Sequence, residues 1–184
     1  MHFLGYEPRQ VKEAVVLADK LKNGPFDPIE FKRKLAEARA ELQSLSESDI
    51  EKAHFKDHQD RLRRINEGQW VLGIVELENC LTWPHFGGRK QIEAGPVNVT
   101  AEFVRSQNDP NDRLWEMVKH VHLFLLNLPL VVIRMSKNPI KFFIDDGAHR
   151  AVAYYLAGFR EAFVFIGVVR EDINHRWEWP GWKA

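Results

Sequence analysis

The chain has 184 residues, and its 26 basic and 26 acidic side chains cancel to a formal net charge of zero. A hydrophobic content of 45% supports a substantial buried core and excludes a disordered tail. The balanced charge excludes a global field that would attract nucleic acid or an anionic membrane, and the single cysteine, Cys80, excludes an internal disulfide. We expect a cytoplasmic protein, since no secretory signal is visible and the longest apolar stretch is too short to cross a bilayer.

Residues 1–68 are predicted to form a helical N-terminal region, in which half of all the charged residues lie. Apolar residues at helical spacing indicate two helices, one with Val11, Val15, Ala18 and Leu21 on a face, the other with Ile29, Leu35, Ala38 and Leu42. A third helix is predicted from a capping box at Ser48 and Glu51 to about Asn66. All six tryptophans lie at residue 70 or beyond, so a different kind of structure is expected there.

Residues 69–170 are predicted to form a mixed α/β domain, followed by a tryptophan-rich tail over 171–184. Strands are predicted over 69–77, 130–134, 140–144 and 162–169, from short apolar and β-branched runs. Residues 78–109 hold several turn signals and are predicted to be mostly loop, with a short helix near 100–105. Further helices are expected from Asn111 or Asp112 to Leu126, and from Ala148 to Ala157 before Gly158. The fold class is therefore α+β.

The junction between the strand ending near Ile144 and the following helix is the strongest functional signal. Free N–H groups in the first helical turn and the positive end of the helix dipole favour an anion there, and Gly147 permits close approach of a ligand. His149 and Arg150 add hydrogen-bond donors. Asp145 and Asp146 are carboxylates that suit a divalent metal bound to phosphate. Because neighbouring residues at a strand end face opposite ways, we expect Asp146 to reach the ligand and Asp145 to cap the helix.

The order of these elements resembles the N-terminal domain of the ParB and sulfiredoxin superfamily. The similarity covers about residues 70–169 and rests on the strand at Val75-Glu76-Leu77, the strand Leu128-Pro129-Leu130-Val131-Val132, the strand Phe142-Phe143-Ile144, and the Asp-Gly-x-His-Arg sequence at 146–150. It implies a small mixed sheet with helices and a phosphate or nucleotide site at the helix start. Ala148 replaces the cysteine of sulfiredoxins and the glutamate of partition proteins, which argues against sulfinic-acid repair and partition-type CTP chemistry.

The resemblance also implies roles for individual residues. Gly147, Ala148, His149, Arg150 and Arg89 would bind the phosphates of ATP or CTP, and Asp146 with Asp145 would hold Mg²⁺. The catalytic residues would be Asp146, His149 and a glutamate, with Glu76 taken first and Glu78 and Glu93 left as alternatives. The expected activity is magnesium-dependent hydrolysis of a nucleotide or transfer of its phosphate, with nuclease activity as a coupled function.

The alternative function is a non-catalytic module that binds DNA or a nucleotide and recruits a protein partner, as in a mobile-element, plasmid or toxin-related factor. The partner would bind the N-terminal helices or Trp177, Trp179 and Trp182, since aromatic side chains anchor many interfaces. Two weaker patterns lie in the predicted third helix. His54 and His58 have the spacing of a metal pair without a third ligand, and Arg61, Arg63 and Arg64 offer a patch for nucleic acid or a solvated helix face.

Overall fold

The structure, a computed structural model, describes residues 5–82, 95–106, 112–137 and 140–169. Within these ranges the helical N-terminal region contains α1 (Pro8–Leu21), α2 (Pro28–Ser44), α3 (Glu47–His54) and α4 (Gln59–Glu67). Proline occupies the first turn of α1 and of α2, where it removes no helical hydrogen bond. Asp27 caps α2 by accepting hydrogen bonds from the backbone N–H groups of Ile29 and Glu30, and Ser46 accepts one from Asp49 at the start of α3.

The prediction of one continuous third helix over 48–66 is wrong, because α3 and α4 are separate. The chain turns at Phe55, whose side chain is only 1% exposed and belongs to the core. The N-terminal cap is Ser46, so the predicted capping box two residues later is also wrong. Arg61 and Arg64 therefore belong to a separate helix, α4.

Within the described residues, five strands form a mixed sheet, which confirms the predicted α+β class. They are β1 (Gln69–Glu76), β2 (Cys80–Leu81), β3 (Leu130–Lys137), β4 (Ile140–Asp146) and β5 (Glu161–Val168), in the order β1-β5-β3-β4-β2. The β1–β5 and β3–β4 pairs are antiparallel, whereas β3–β5 and β2–β4 are parallel. The four predicted strands are present, and β2 lies in a stretch predicted as loop. The strand order places β1 at an edge, three strands away from β4.

The remaining α-helices of the described chain are α5 (Val97–Ser106), α6 (Asp112–Lys119), α7 (Val121–Leu125) and α8 (Ala148–Leu156). Among them, α8 contacts strand β3 of this sheet, and α5, α6 and α7 all contact α8. The single helix predicted up to Leu126 is interrupted at His120, whose ring stacks on Phe26. Gly158 follows α8 with φ of 96°, which agrees with the predicted helix end. No helix in the described ranges is long and apolar enough to span a membrane.

One hydrophobic core connects the N-terminal helices to the sheet. Phe31 of α2 and Phe124 of α7 are fully buried and meet edge to face, with ring centroids 5.4 Å apart. The indole N–H of Trp70 at the start of β1 donates to the carbonyl of Ile65 in α4 at 2.9 Å. Ile29 was predicted on the inner face of α2, but it is 81% exposed and Phe31 takes the buried position. Since the two parts share a core, a cleft between them has walls fixed by packing.

Candidate functional site

The turn between β4 and α8 depends on a glycine. Gly147 is the N-cap of α8 and has φ of 98°, a region that side chains with a Cβ rarely adopt. A Cβ at this position would lie 2.6 Å from Cδ2 of Leu130 and 2.8 Å from Nη2 of Arg150. The first turn of α8 makes no side-chain cap hydrogen bond, so the prediction that Asp145 caps this helix is wrong.

Asp145 instead connects β4 to α4 through buried ion pairs. Its carboxylate Oδ1 accepts a hydrogen bond from Nη2 of Arg64 at 2.7 Å, and both side chains are almost completely buried. Arg61 lies with Nε 3.4 Å from Oδ2 of Asp145, and its Nη2 donates to the backbone carbonyl of the same residue at 2.6 Å. A buried pair of this kind is costly to break, because the remaining partner keeps an uncompensated charge. Asp145 therefore holds the turn against α4.

Arg150 supports the same turn from the other side. Its guanidinium is only 3% exposed. Nη1 donates to the carbonyls of Leu128 and Pro129, and Nη2 donates to Oδ2 of Asp146 at 2.7 Å. Asp146 also has its Oδ1 3.8 Å from Nη1 of Arg61. The structure thus places Arg150 behind the turn, engaged with protein oxygens, and Asp146 between two arginines.

A polar cleft of about 310 Å³ opens in front of this turn, between the N-terminal helices and the start of α8. Its lining residues are Ala18 and Asp19 of α1, Lys22 just after α1, His58 just before α4, Arg61 of α4, Arg113 and Met117 of α6, and residues 146–150. Lys22 forms an ion pair with Asp19, and Nε of Arg113 donates to the carbonyl of Lys22 at 3.2 Å. Four of the lining side chains are cationic and two are carboxylates, so the cleft carries net positive charge.

The pKa of His149 reflects the burial and the positive charge of the cleft. Burial, together with the nearby charges of Arg113 and Lys22, lowers the pKa of this imidazole to about 4. Burial also lowers the pKa of Arg113, which stays protonated at neutral pH because an arginine starts from a value above 12. Near neutral pH the cleft therefore presents a neutral imidazole beside fixed cations, and a bound anion would relieve the repulsion among those cations.

Glu76 lies elsewhere. It ends β1 and lines a different groove, together with Glu78. Three strand spacings separate β1 from β4, which amounts to about 14 Å across the sheet. The structure therefore does not bring Glu76 or Glu78 to the cleft that contains Asp146 and His149. Arg89, Glu93 and the tail tryptophans Trp177, Trp179 and Trp182 lie outside the described residues.

The two aspartates fit a magnesium ion poorly. Asp145 is buried against Arg64, and the partly exposed carboxylate of Asp146 is paired with Arg150. Across the described ranges no group of three or more His, Cys, Asp or Glu side chains is arranged to hold a metal ion. His54 and His58, which end α3 and precede α4, line a small cavity of about 80 Å³ without forming such a group. A metal at Asp146 would have to compete with the guanidinium of Arg150.

Sequence reasoning missed two of the cations in the cleft, Lys22 and Arg113. Lys22 follows the last turn of α1 and Arg113 lies near the start of α6, so only tertiary packing brings them to Gly147. Arg61 was considered as part of a patch for nucleic acid, with a solvated, charged helix face as the alternative. Its exposed neighbour Arg63 does follow that pattern, with an ion pair to Glu67. No local motif distinguishes the three functional candidates from other surface cations.

Comparisons with protein-family models, with curated proteins and with solved structures give no significant match. The function of the cleft is therefore argued from its own geometry and charge.

Proposed function

We propose that the cleft binds the phosphate groups of a nucleotide-class ligand, and that the chain is a nucleotide- and phosphate-binding protein of the ParB and sulfiredoxin type. The observation that carries the proposal is the convergence of Lys22, Arg61 and Arg113, from three separate helices, on the N-terminus of α8. Backbone N–H groups at a helix start and nearby guanidinium groups are the donors that phosphate oxygens use. The neutral His149 adds a further hydrogen-bonding group beside them.

The size of the cleft supports phosphate recognition in particular. A volume of about 310 Å³ is at the lower end of ligand pockets, which span roughly 300–1,000 Å³. Within the described part of the chain the lining contains no Phe, Tyr or Trp on which a base could stack. A phosphate tail inside the cleft, with the sugar and base directed outward, matches both features.

Binding without turnover is the form of this function that the geometry favours. Arg150 is engaged with backbone carbonyls and Asp146, and Glu76 lies in a separate groove. Magnesium-dependent hydrolysis of the bound nucleotide, or transfer of its phosphate, is the second candidate. The observation in its favour is the carboxylate of Asp146, which is partly exposed in the cleft next to His149.

Titration calorimetry with ATP, CTP and pyrophosphate at low salt tests the binding proposal. Replacing Arg113 by Gln removes a cation of the cleft, and we expect the affinity to fall about tenfold or more, because a hydrogen bond to a charged group contributes about 1.5–3 kcal/mol. Arg33→Gln is the matched control, since Arg33 is an exposed arginine of α2 that pairs with Glu30 and Glu37. Equal affinities in the wild type, Arg113→Gln and Arg33→Gln would contradict the proposal.

Turnover is measured separately, as phosphate release with magnesium and each nucleotide. Asp146→Asn keeps an oxygen that can accept the hydrogen bond from Arg150 and removes the negative charge. Release that is present in the wild type and lost in Asp146→Asn, with binding retained, would establish the enzymatic candidate. Binding without release in the wild type would establish the binding module.

A further inference from the structure

A second groove, of about 700 Å³, lies at the edge of the sheet and shares no residue with the cleft. It is lined by Ile74, Glu76, Glu78, Leu125 and residues 158–163. In the antiparallel β1–β5 pair, Ile74 lies opposite Phe163 and Glu76 lies opposite Glu161. These are neighbouring cross-strand pairs on one face of the sheet, because side chains alternate between faces.

Both cross-strand pairs are energetically unfavourable on a surface that contacts only solvent. Ile74 is 57% exposed and Phe163 is 40% exposed, so the apolar pair faces outward. Like charges directly opposite each other on a sheet destabilise it, and Glu76 and Glu161 are such a pair. The local fold provides no reason for either arrangement.

The described residues also leave the negative charge of the groove without an ion-pair partner. Among the described lining residues Arg160 is the only cation, and its guanidinium lies 4.1 Å above the ring of Tyr155 while Nη1 donates to backbone carbonyls. In the parts of the chain that the structure describes, no lysine or arginine forms an ion pair with Glu76, Glu78 or Glu161. The carboxylate of Glu76 accepts a hydrogen bond from the side-chain amide of Asn79, which carries no charge.

We propose that this groove docks an extended segment of a partner protein in which a large apolar residue and a lysine or arginine lie two positions apart. In an extended segment, side chains two positions apart share a face and lie about 7 Å from each other, which matches the step from one cross-strand pair to the next. The apolar side chain covers Ile74 and Phe163, and the cation lies between Glu76 and Glu161. Partner binding then relieves the repulsion that the free surface carries.

Charge complementarity favours a basic and apolar partner segment, rather than the chain's own tail, as the occupant of the groove. Residues 170–184 contain three basic and three acidic side chains, so the tail is neutral and offers no net attraction to the groove. A second copy of the chain is likewise neutral overall. A basic and apolar segment of another protein satisfies both the carboxylates and the exposed apolar pair.

A phage-displayed library of random peptides, selected on the full chain, tests the proposal. We expect enriched peptides with Lys or Arg two positions from a large apolar residue. Their affinity, measured by calorimetry at low salt, should fall about tenfold in the double variant Glu76→Gln with Glu161→Gln, since each exposed ion pair contributes up to about 1 kcal/mol. Glu37→Gln is the control, because Glu37 is an exposed carboxylate of α2, and it should leave the peptide affinity unchanged.

A second readout separates docking from a structural role. Because Glu76→Gln removes a like-charge contact, the urea midpoint of the free chain should rise or stay constant while peptide affinity falls. Enrichment of acidic peptides, no enrichment, or affinity equal in the double variant and the wild type would overturn the proposal. A dimer by light scattering that dissociates in Ile74→Ser would assign the face to a second copy and would also overturn it.

Discussion

Replacing His149 by Gln tests the electrostatics of the cleft through the pH dependence of stability. The pKa of His149 is lowered from 6.5 to about 4, mainly by burial. As the pH falls through about 6.5, the unfolded chain binds a proton on this imidazole and the folded chain does not, so stability is lost as the pH falls, and the loss levels off below about pH 4. A shift from 6.5 to about 4 corresponds to roughly 3 kcal/mol in total and about 2 kcal/mol at pH 5.

Urea unfolding followed by tryptophan fluorescence, between about pH 4 and pH 8, measures this loss. Glutamine keeps a polar side chain in the cleft and cannot take up a proton in this range. Carboxylates titrate in both proteins, so the difference between the two stability curves isolates His149. We expect the wild type to lose about 2 kcal/mol more than His149→Gln between pH 7 and pH 5.

The same residue reports the bound ligand. An anion in the cleft raises the pKa of His149 by adding a negative charge that offsets Arg113 and Lys22. Binding of pyrophosphate should therefore take up protons and strengthen as the pH falls toward about 5, which calorimetry in buffers of different ionisation enthalpy detects. Stability curves that run parallel in the wild type and His149→Gln would refute the reasoning, as would binding with the same proton uptake in both.

Two further substitutions, Gly147→Ala and Arg64→Met, test how the turn is held, and Gly158→Ala serves as a comparison. Gly147→Ala and Gly158→Ala both introduce a side chain at positive φ, but only the first places a Cβ 2.6 Å from Leu130, whereas nothing lies within 4 Å at the second. We expect the free energy of unfolding to fall by about 1–2 kcal/mol in Gly158→Ala and by about 1–3 kcal/mol more in Gly147→Ala. Equal losses of the two variants in chemical unfolding would contradict this expectation. Arg64→Met removes the guanidinium that pairs with the buried carboxylate of Asp145, so it should lower the free energy of unfolding by about 3–5 kcal/mol. A loss below about 1 kcal/mol would show that this ion pair does not hold the turn.

Local patterns were sufficient to predict most of the elements. Strands β1, β3, β4 and β5 follow from short β-branched and aromatic runs, and the glycines at 147 and 158 bound α8 as their positive φ values require. The prediction of one continuous third helix failed at Phe55. This residue is apolar at helical spacing, and only its burial in the three-dimensional core shows that α3 ends there. Cys80 is free and buried, and burial raises the pKa of its thiol to about 12.

The site was less accessible to sequence reasoning, because its members come from distant parts of the chain. Gly147 and His149 were identified from their position at a helix start, and both line the cleft. Lys22 and Arg113 carry no local signal, since each is one of many cations that end or begin a helix. Glu76 shows the opposite case, because the superfamily resemblance implied a catalytic role for it, but the strand order places β1 three strands away from β4.

The arginines and aspartates near the turn divide into those that build it and those that remain for a ligand. Arg64 and Arg150 are buried, and their donors are directed to Asp145 and Asp146. These contacts compensate the two carboxylates that would otherwise repel a phosphate from the N-terminus of α8. In the described chain, the cations left to act on a ligand are Lys22 at the end of α1, Arg61 of α4 and Arg113 of α6, all outside the sequence motif. The N-terminal helices are therefore part of the proposed binding site, and phosphate affinity should depend on them as strongly as on residues 146–150.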